Sequence, residues 1–412
     1  MPNKIADPSL ADKGELAYKW AYNHMPTLTS IIELEAPKKP LSGRRVGVCL
    51  HVTKETSVLV MGLAKLGAEV YLAAANPLST QDDIAAYLAS QGINVFAWRG
   101  EQPSEYFDCI RQVLSSNIEF LMDDGSDAHV EAHKLGGLNI LAGTEETTTG
   151  VIRLKALEKE NLLKYPVIAV NNAYTKHLFD NRYGTGQSVI DGVLRATSLL
   201  LAGKTVVVCG YGWVGKGIAK KARGLDARVI VTEVDPLKAL EAHMDGYIVM
   251  PMSRAAEVGD IFITATGQTH VIRGEHIEKM KDGAILANGG HFDVEIDVKY
   301  LSENAASKVD VRPYTEEYRL KSGKRVYLIG QGRVANLVAA EGHPPEVMMM
   351  SFSNQLLSLI YLTQNHSKMQ PRVYDVPQSL DREVAKRTIE ALGLEIDELT
   401  EEQKRYAESW LL

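Results

Sequence analysis

Polar side chains gather at the ends of several predicted strands, where they could carry out chemistry. His51 follows the first strand, Asn76 the second, Asp123–Asp124 the fourth and Asn171–Asn172 the fifth. Ligands of open α/β sheets bind at the carboxyl ends of strands, where imidazole and carboxyl groups can exchange protons with them. Taken singly, His51 could be a core histidine and either aspartate a helix cap. Four such strand ends favour a binding site, because these groups have no packing role in common.

A glycine-rich turn is the clearest local motif. Residues 210–215 read GYGWVG, which fits GxGxxG, and a predicted strand precedes them while a helical pattern follows. Glu233 ends the next strand, about 20 residues further on. This context is typical of a Rossmann dinucleotide-binding turn.

Each glycine of the turn has its own expected role. Gly210 permits the tight turn, Gly212 lets the backbone approach a pyrophosphate, and Gly215 lets the helix pack on the strand. The helix N-terminus offers free N–H groups to the phosphates. Glu233 can accept hydrogen bonds from a ribose and would repel a 2′-phosphate, which favours NAD over NADP. A glycine turn kept only for packing is the alternative, and the spacing does not separate a dehydrogenase from an enzyme that retains its cofactor.

Alternating strands and helices must position these residues. In the first half of the chain, short apolar runs predict strands, and apolar residues at helical spacing predict helices between them. The strands are predicted at 44–50, 69–74, 93–98, 118–122 and 167–170, and the helices at 56–66, 79–91, 105–114 and 151–161. The alternation indicates a parallel sheet covered on both faces.

A second unit of the same kind begins near Gly203. Its strands are predicted at 205–209, 228–232, 261–266, 284–287 and 325–329. A long helix is predicted over 346–364, and the tail after Pro371 is charged and helical. The predicted fold class is therefore α/β, with two doubly wound parallel-sheet domains.

Length and composition exclude several classes of protein. The 412 residues suggest two or three domains, and the net charge of −7 argues against a nucleic-acid partner. No apolar run approaches the roughly 18 residues of a membrane helix, and the start has no secretory signal. The three cysteines form no CxxC pair, so neither a disulfide framework nor a metal site is expected and a cytoplasmic location is favoured.

Several clustered motifs point to one family. They lie at 50–56 (LHVTKET), 76–82 (NPLSTQD), 145–150 (EETTTG), 175–176 (TK), 179–181 (FDN), 290–297 (GHFDVEID) and 342–344 (GHP). With the glycine turn between them, this set resembles the S-adenosylhomocysteine hydrolase (adenosylhomocysteinase) family. The resemblance extends over nearly the whole chain, from about residue 15 to about residue 405.

The resemblance implies hydrolysis of S-adenosylhomocysteine to adenosine and homocysteine with bound NAD⁺ and no net redox change. The 3′-hydroxyl is oxidised to a ketone, a base removes the acidified C4′ proton, homocysteine leaves from C5′, water adds, and NADH reduces the ketone. An unactivated thioether is a poor leaving group, and placing it β to a carbonyl makes the cleavage an elimination. Two positioned acid/base groups can each contribute roughly 10²–10⁴-fold.

Two rival functions are weaker. A 2-hydroxy-acid dehydrogenase with NAD would share the fold and a catalytic histidine, but it leaves 145–149 and 176–181 unexplained. A non-enzymatic NAD-binding paralogue predicts substitutions among the acid/base residues of the motifs. None is present at Lys176, Asp180, Asp124 or His51.

The resemblance also implies roles for individual residues. Lys176 would be the base for the oxidation, if its surroundings lower its pKa, with Asp180 beside it at the 2′- and 3′-hydroxyls. Asp124 would act near C4′ and C5′ together with His51, which would protonate the leaving sulfur or activate water. Residues that would hold the substrate or order these groups are Thr53, Glu55, Thr56, Glu146, Asn181, His291 and, at a domain hinge, His343.

The identity of the base is a separate question, since some relatives that end early prefer S-inosylhomocysteine. Thr53 and Glu55 match residues that read adenine. A carboxylate accepts from the exocyclic amine of adenine and would repel the carbonyl of hypoxanthine, so Glu55 favours the adenosyl substrate.

On the cofactor side, the resemblance implies contacts with NAD from the loops that follow the strands. The residues assigned to them are Thr147, Thr148, Thr149, Asn181, Gly210, Gly212, Trp213, Val214, Gly215, Glu233, Thr264, Thr266, Gly267, Asn288, Gly290, His291, Asn336 and His343.

Three departures from the family are expected to matter. Thr185 stands where many relatives have cysteine, and Trp213 where many have aspartate. The chain ends at Leu412, whereas many relatives carry a further tail with Lys and Tyr that reaches a neighbouring subunit's NAD. The expectation is that NAD is held less tightly than in those relatives.

The family also suggests a domain plan. A substrate domain is expected over 1–182 and 344–392, an NAD domain over 183–343, and a C-terminal segment over 393–412 that docks on another subunit. Two chain crossings would form a hinge that closes over the substrate. A homotetramer is expected, with the helix at 346–364 and the helix of the early 190s as interface elements.

Overall fold

Two β-sheets, each enclosed by helices, organise the chain. The computed structural model describes residues 3–410. Along one strand of the first sheet, Val46 and Val48 join one apolar cluster while Cys49 joins another on the opposite face. In the second sheet, Val206 and Val207 divide in the same way. Both faces of each sheet are therefore buried, which explains why these strands are almost continuous apolar runs.

The first sheet has seven strands, all parallel to their neighbours. They are β1 (Arg45–Leu50), β2 (Glu69–Ala74), β3 (Asn94–Phe96), β4 (Phe120–Asp123), β5 (Ala142–Glu145), β6 (Val167–Ala169) and β15 (Val373–Asp375). Their order is β15-β6-β5-β4-β1-β2-β3. The chain turns from one side of β1 to the other between β3 and β4, so the loops after β1 and β4 flank the switch point where ligands bind.

The second sheet has eight strands and is mixed. They are β7 (Thr205–Cys209), β8 (Arg228–Thr232), β9 (Ile248–Val249), β10 (Ile261–Thr264), β11 (Ala284–Asn288), β12 (Ala305–Arg312), β13 (Thr315–Leu320) and β14 (Arg325–Ile329). Their order is β12-β13-β14-β11-β10-β7-β8-β9. Only β13 runs antiparallel to its neighbours, and the strands from β14 to β9 are parallel.

Helices surround both sheets. Those of the first half are α1 (Ala11–Asn23), α2 (Pro26–Glu35), α3 (Lys54–Lys65), α4 (Asp82–Ser90), α5 (Pro103–Leu114), α6 (Asp127–Leu135) and α7 (Thr148–Lys159). Then α8 (Tyr174–Lys176) widens into a π-helical stretch over His177–Gly184 and continues as α9 (Thr185–Thr197). Those that follow are α10 (Trp213–Gly224), α11 (Pro236–Met244), α12 (Met252–Val258), α13 (Gly274–Ile277), α14 (Val298–Asn304), α15 (Ala335–Val338), α16 (Pro345–Asn365), α17 (Gln378–Ala391) and α18 (Glu401–Glu408).

The α/β class and the two-sheet arrangement predicted from the sequence are confirmed, but the second sheet is mixed rather than wholly parallel, and several elements were not predicted, among them the two-residue strand β9. β5, with the sequence AGTE, was not predicted, because it has no run of β-branched or aromatic residues. β12 and β13 were also missed, since β12 is almost wholly exposed and polar. β15 interrupts the tail that was predicted to be helical.

The longest helix, α16, returns the chain to the first sheet. Its 21 residues include buried apolar side chains such as Phe352 and Leu356, but also buried polar ones. Over residues 3–410, no helix combines the length and apolar character required to span a bilayer. The polar side chains of α16 instead serve the site described next.

Candidate active site

One large cavity lies between the carboxyl ends of the two sheets. Its volume is about 1030 Å³. Loops after the strands of the first sheet supply His51, Asp124 and Glu146, and those of the second sheet supply Gly210 and Thr266. The cavity therefore lies where parallel α/β sheets place their ligands.

Most residues predicted for the site line this cavity. They are His51, Thr53, Glu55, Thr56, Asp124, Glu146, Thr147, Thr148, Thr149, Lys176, Asp180, Asn181, Gly210, Gly212, Trp213, Val214, Glu233, Thr266, Gly267, Gly290, His291, Asn336 and His343. Three predicted cofactor residues, Gly215, Thr264 and Asn288, lie behind the wall. Asn288 there accepts hydrogen bonds from Gly290 N and Thr264 Oγ1, so it shapes the loop.

Some polar residues at strand ends have structural roles. Asn76 accepts a hydrogen bond from Leu78 N in a turn, and Asp123 points away from the cavity. Asn171 lies one layer back, where its side-chain oxygen accepts from Asn181 Nδ2 at 3.2 Å. The sequence pattern therefore located the edge of the sheet correctly, but did not separate lining residues from supporting ones.

Lys176 lies at the centre of a buried polar cluster. Its Nζ is 2.6 Å from Asp180 Oδ2, 2.7 Å from Asn181 Oδ1 and 3.8 Å from Glu146 Oε1. Burial alone would lower the pKa of Lys176, but Asp180 and Glu146 raise it above its ordinary value. The condition that its surroundings lower this pKa is therefore not met by these contacts, because two carboxylates outweigh desolvation.

The local backbone explains how Lys176, Asp180 and Asn181 meet. Asp180 and Asn181 follow Lys176 by four and five positions and lie in the π-helical stretch, where Thr185 N donates to Asp180 O. One turn of such a helix is wider than an α-helical turn and places residues i and i+5 close together. Both side chains can therefore reach the same ammonium group.

The start of this helix is held from a distant part of the chain. Asp381 of α17 accepts hydrogen bonds from Tyr174 N at 2.7 Å and from Thr175 N at 2.9 Å. It also accepts one from Thr175 Oγ1. Asp381 therefore acts as the cap that α8 lacks locally, and no sequence signal marks it, since its partners lie more than 200 positions away.

Glu146 is held by α16. Gln355 Nε2 donates to its Oε2 at 2.6 Å, and Ser351 Oγ donates to its Oε1. Burial raises the pKa of Glu146 to about 7, although Lys176 opposes this. Ser351 and Gln355 were not predicted from the sequence; their spacing of four places them on one face of α16 and was the available signal.

Asp124 lies between two histidines. His51 Nε2 is 3.5 Å from Asp124 Oδ2, and His291 Nδ1 is 3.6 Å from Asp124 Oδ1. Burial lowers the pKa of His51 to about 4, so this imidazole is neutral near pH 7. His51 Nδ1 lies 2.8 Å from Ser79 Oγ, which itself donates to Asn76 O. The Nδ1 therefore carries the proton, and Nε2 presents a lone pair to the cavity.

The helix predicted over 79–91 begins later than predicted. Gln81 occupies the cap position of α4, and Ser79 is free to orient His51. The hydroxyl of Ser79 thereby fixes the ring nitrogen that faces Asp124.

His343 connects the segment before α16 to the Lys176 cluster. Its Nδ1 lies against Asp180 Oδ1, and its Nε2 lies 3.1 Å from Thr185 Oγ1. Burial would raise the pKa of Asp180, but His343 and Lys176 hold it well below its ordinary value. Thr185, one of the departures from the family, is thus a hydrogen-bonding neighbour of this pair.

Glu55, in the first turn of α3 on the cavity wall, has a buried carboxyl group that is available to a ligand. Glu55 is 1% exposed, and its Oε1 accepts no hydrogen bond within the described chain, although Lys54 Nζ is 3.2 Å away as an ion-pair partner. Burial raises the pKa of Glu55. Thr53, which caps α3, lies beside it.

The glycine turn has the geometry that a dinucleotide needs. Gly210 has a φ of +101°, which L-residues rarely adopt, and a Cβ on Gly215 would lie 2.0 Å from the Gly210 carbonyl oxygen. A Cβ on Gly212 would meet no atom within 4 Å, so the space above the helix N-terminus is open. Trp213 begins α10, with Lys216 Nζ 4.4 Å from its ring centroid.

Two orphaned polar atoms support a nicotinamide cofactor. Thr149 Oγ1 and Asn336 Oδ1 are buried at the cavity without a hydrogen-bond partner within residues 3–410. Glu295 fixes the adjacent loop by accepting from Thr266 N and Gly267 N at 2.9 Å each. Glu233, at the other end, accepts from Tyr211 N at 2.7 Å and lines the cavity beyond the turn.

Comparison with known proteins gives consistent results. Residues 2–138 match the family described as S-adenosyl-L-homocysteine hydrolase, and residues 181–342 match its NAD binding domain. The adenosylhomocysteinase of Saccharolobus solfataricus is 58% identical, with 100% of this chain and 99% of the relative covered. That of Aquifex aeolicus is 56% identical, with 98% of each covered. The S-inosyl-L-homocysteine hydrolase of Methanopyrus kandleri is also 56% identical, covering 98% of this chain and 97% of the relative.

Proposed function

The chain belongs to the S-adenosyl-L-homocysteine hydrolase family, and we infer that it reversibly cleaves S-adenosyl-L-homocysteine into adenosine and L-homocysteine with NAD as cofactor. The observation that carries this function is the convergence of two polar clusters on one cavity. The cluster of Lys176, Asp180 and Asn181 faces the same space as Asp124 and its two histidines. A dinucleotide turn opens into that space as well.

We propose that Lys176 takes the proton of the 3′-hydroxyl, with Asp180 and Asn181 orienting its amino group. Bound NAD supplies a reversible oxidation at the 3′ carbon, which makes the neighbouring C4′ proton acidic. A protonated ammonium group cannot act as a base, so Lys176 must lose its proton when the substrate enters. Burial favours this neutral form, and substrate hydroxyl groups that replace carboxylate contacts would favour it further.

Asp124 and His51 are the proposed acid/base pair at C4′ and C5′. The Asp124 carboxylate is suited to remove the C4′ proton. The neutral His51 presents an unprotonated Nε2 beside it, so the ring can take up a proton and deliver it to the departing sulfur. In the later step, the same nitrogen can take a proton from the water that adds at C5′ and so activate it. Ser79 keeps the ring in the orientation that both steps require.

Glu55 supports the adenosyl rather than the inosyl substrate. Its buried Oε1, which has Lys54 as an ion-pair partner but accepts no hydrogen bond within residues 3–410, provides an acceptor for an exocyclic amine. The carbonyl of hypoxanthine at the same place would be an acceptor facing an acceptor. Because S-inosyl-L-homocysteine hydrolases are among the relatives, the comparison of the two nucleosides is a necessary part of the test.

The experiment is to incubate the purified protein with S-adenosyl-L-homocysteine and measure adenosine, free thiol and reduced cofactor together. We expect equal amounts of adenosine and thiol without net NADH, and a higher kcat/KM than for S-inosyl-L-homocysteine. Net NADH with a 2-hydroxy acid would instead identify a dehydrogenase. A preference for the inosyl substrate would contradict the role of Glu55.

We also propose the domain boundaries and assembly expected from the sequence: a substrate domain of 1–182 and 344–392, an NAD domain of 183–343, and a homotetramer in the cytoplasm. The final segment from Leu392 to Trp410 supports docking on another subunit, because its apolar side chains Leu394 and Ile396 are exposed. Light scattering should then give a mass near four times 45.3 kDa. A monomer mass would contradict the proposed assembly.

A further inference from the structure

A buried glutamate lies beneath the cavity and joins two of its loops. Glu145 is fully buried at the end of β5. Its Oε1 accepts hydrogen bonds from Gly125 N at 2.8 Å and from Thr147 N at 2.9 Å. Gly125 directly follows Asp124, and Thr147 directly follows Glu146. One oxygen atom therefore connects the loop of Asp124 to the loop that begins with Glu146.

The other oxygen of Glu145 indicates where a proton lies. Glu145 Oε2 is 2.7 Å from Ser126 Oγ, which is 3.1 Å from the Gly150 carbonyl oxygen. The Ser126 hydroxyl has one proton and cannot donate to both oxygens at full strength. If Glu145 carries a proton on Oε2, it donates to Ser126 Oγ, and Ser126 donates to Gly150. Every donor and acceptor is then used.

The surroundings favour the same neutral form. The carboxyl groups of Asp123 and Asp124 lie nearby, and together with burial they raise the pKa of Glu145 well above its ordinary value. Arg153, which reaches the same loop, donates to the Gly125 carbonyl and to Asp127, and no cation pairs with Glu145 among residues 3–410. A negative charge on Glu145 would therefore be buried beside like charges without a cation of its own.

The backbone around Glu145 depends on its side chain. Ser126 adopts a left-handed φ of +63° and does not cap its own helix; its hydroxyl turns to Glu145 instead. A Cβ on Gly150 would lie 2.2 Å from the Glu145 carboxyl group, so α7 approaches that group as closely as its backbone permits. A non-glycine residue at positive φ persists only where its surroundings hold it.

We infer that Glu145, as a neutral carboxylic acid, is a positioning residue that holds the Asp124 loop and the Glu146–Thr147 loop in their working arrangement. This inference rests on the proposed function, since it assigns to Asp124 the removal of the C4′ proton. It makes no claim that Glu145 touches the substrate. Its effect reaches the reaction through the placement of Asp124.

Two substitutions at Glu145 distinguish position from charge. Glu145→Gln preserves the shape: its carbonyl can accept from both backbone amides, and its amide can donate to Ser126 Oγ. Glu145→Asp keeps the acid but is one methylene shorter, so it cannot reach both loops. Glu101→Gln is the matched control, because Glu101 is also a buried glutamate, but its Oε1 accepts from Trp98 N and from neither of these two loops.

The measurements are kcat and KM for S-adenosyl-L-homocysteine and the exchange of the C4′ hydrogen of adenosine in D₂O. NAD content and Tm identify variants that fail to assemble. We expect Glu145→Asp to lower kcat and C4′ exchange together by about 10- to 100-fold, as misplacement of about 1 Å can do, with little change in KM. Glu145→Gln should keep most of both rates and the wild-type pH profile.

Each outcome is decisive. A loss in Glu145→Gln as large as in Glu145→Asp would show that a charge is needed and overturn the neutral form. Wild-type C4′ exchange in Glu145→Asp would overturn the positioning role. If the wild-type protein releases neither adenosine nor thiol, the proposed function fails instead, so the two failures are distinguishable.

Discussion

Replacing Asp381 by Asn should impair catalysis from a site that does not line the active-site cavity. Asp381 accepts three hydrogen bonds, from Tyr174 N, Thr175 N and Thr175 Oγ1 at the start of the helix that ends in Lys176. Asn has one acceptor oxygen, and its amide would face a backbone N–H, donor against donor. At least one charge-assisted bond is therefore lost and one buried donor is left unpaired.

The magnitude follows from these bonds. A hydrogen bond to a charged group contributes about 1.5–3 kcal/mol, so α8 should lose about 2–3 kcal/mol of local stability. Because Lys176 lies within the same turn, a shift of its Nζ by about 1 Å could cost up to about 100-fold in rate. We expect kcat to fall by roughly 10- to 100-fold and Tm to fall by a few degrees.

The assay measures thiol release and thermal unfolding for Asp381→Asn beside a control on the same helix. Glu383→Gln is suitable, since Glu383 is 41% exposed and its one ion pair within residues 3–410 is with Arg387 at 2.8 Å, a surface contact worth less than about 1 kcal/mol. If Asp381→Asn retains the wild-type kcat while its Tm falls, the cap stabilises the fold without placing Lys176, and the reasoning is refuted.

Three further substitutions test other parts of the molecule. Gly215→Ala would place a Cβ 2.0 Å from the Gly210 carbonyl oxygen, so we expect NAD affinity, measured by fluorescence titration, to fall at least about tenfold. Burial raises the pKa of Glu101 from 4.5 to about 8, so between these pH values the folded state holds a proton that the unfolded state releases. The contribution of this proton to the free energy of unfolding is complete below pH 4.5 and is lost as pH rises through 8. Between pH 4 and pH 9, Glu101→Gln should therefore lose less free energy of unfolding than wild type, by up to about 5 kcal/mol in urea unfolding. Parallel pH curves of the two proteins would contradict this. Lys176→Met should lower the rate of thiol release at least about 10³-fold while the protein still binds NAD. A rate near that of the wild type would exclude Lys176 as the base.

Sequence reasoning succeeded where local pattern and general topology suffice. The apolar runs predicted β1, β2, β7, β8 and β14 to within a residue, because strands buried on both faces need such runs. Once these strands were placed, the rule that ligands lie at their carboxyl ends located His51 and Asp124 correctly on the cavity wall.

The features that were missed depend on contacts between distant parts of the chain. Asp381, Ser351 and Gln355 reach their partners across about 200 positions, and each has an ordinary helical sequence around it. The charge balance at Lys176 was also not predictable, because it depends on Glu146 from another strand end. Short or exposed strands such as β5 and β12 lack the apolar signal altogether.

The wide helical turn over His177–Gly184 has a consequence for how this chemistry can be altered or lost. In a regular α-helix each residue advances by about 100°, so deleting one position here would tighten the turn and rotate everything before it relative to everything after it. The backbone of the helix would still be paired, since helices of either kind satisfy their backbone hydrogen bonds. The ammonium group, however, would no longer meet both of its neighbours in the turn. The single extra residue in this turn is therefore what allows the helix to hold the ammonium group in contact with both neighbours.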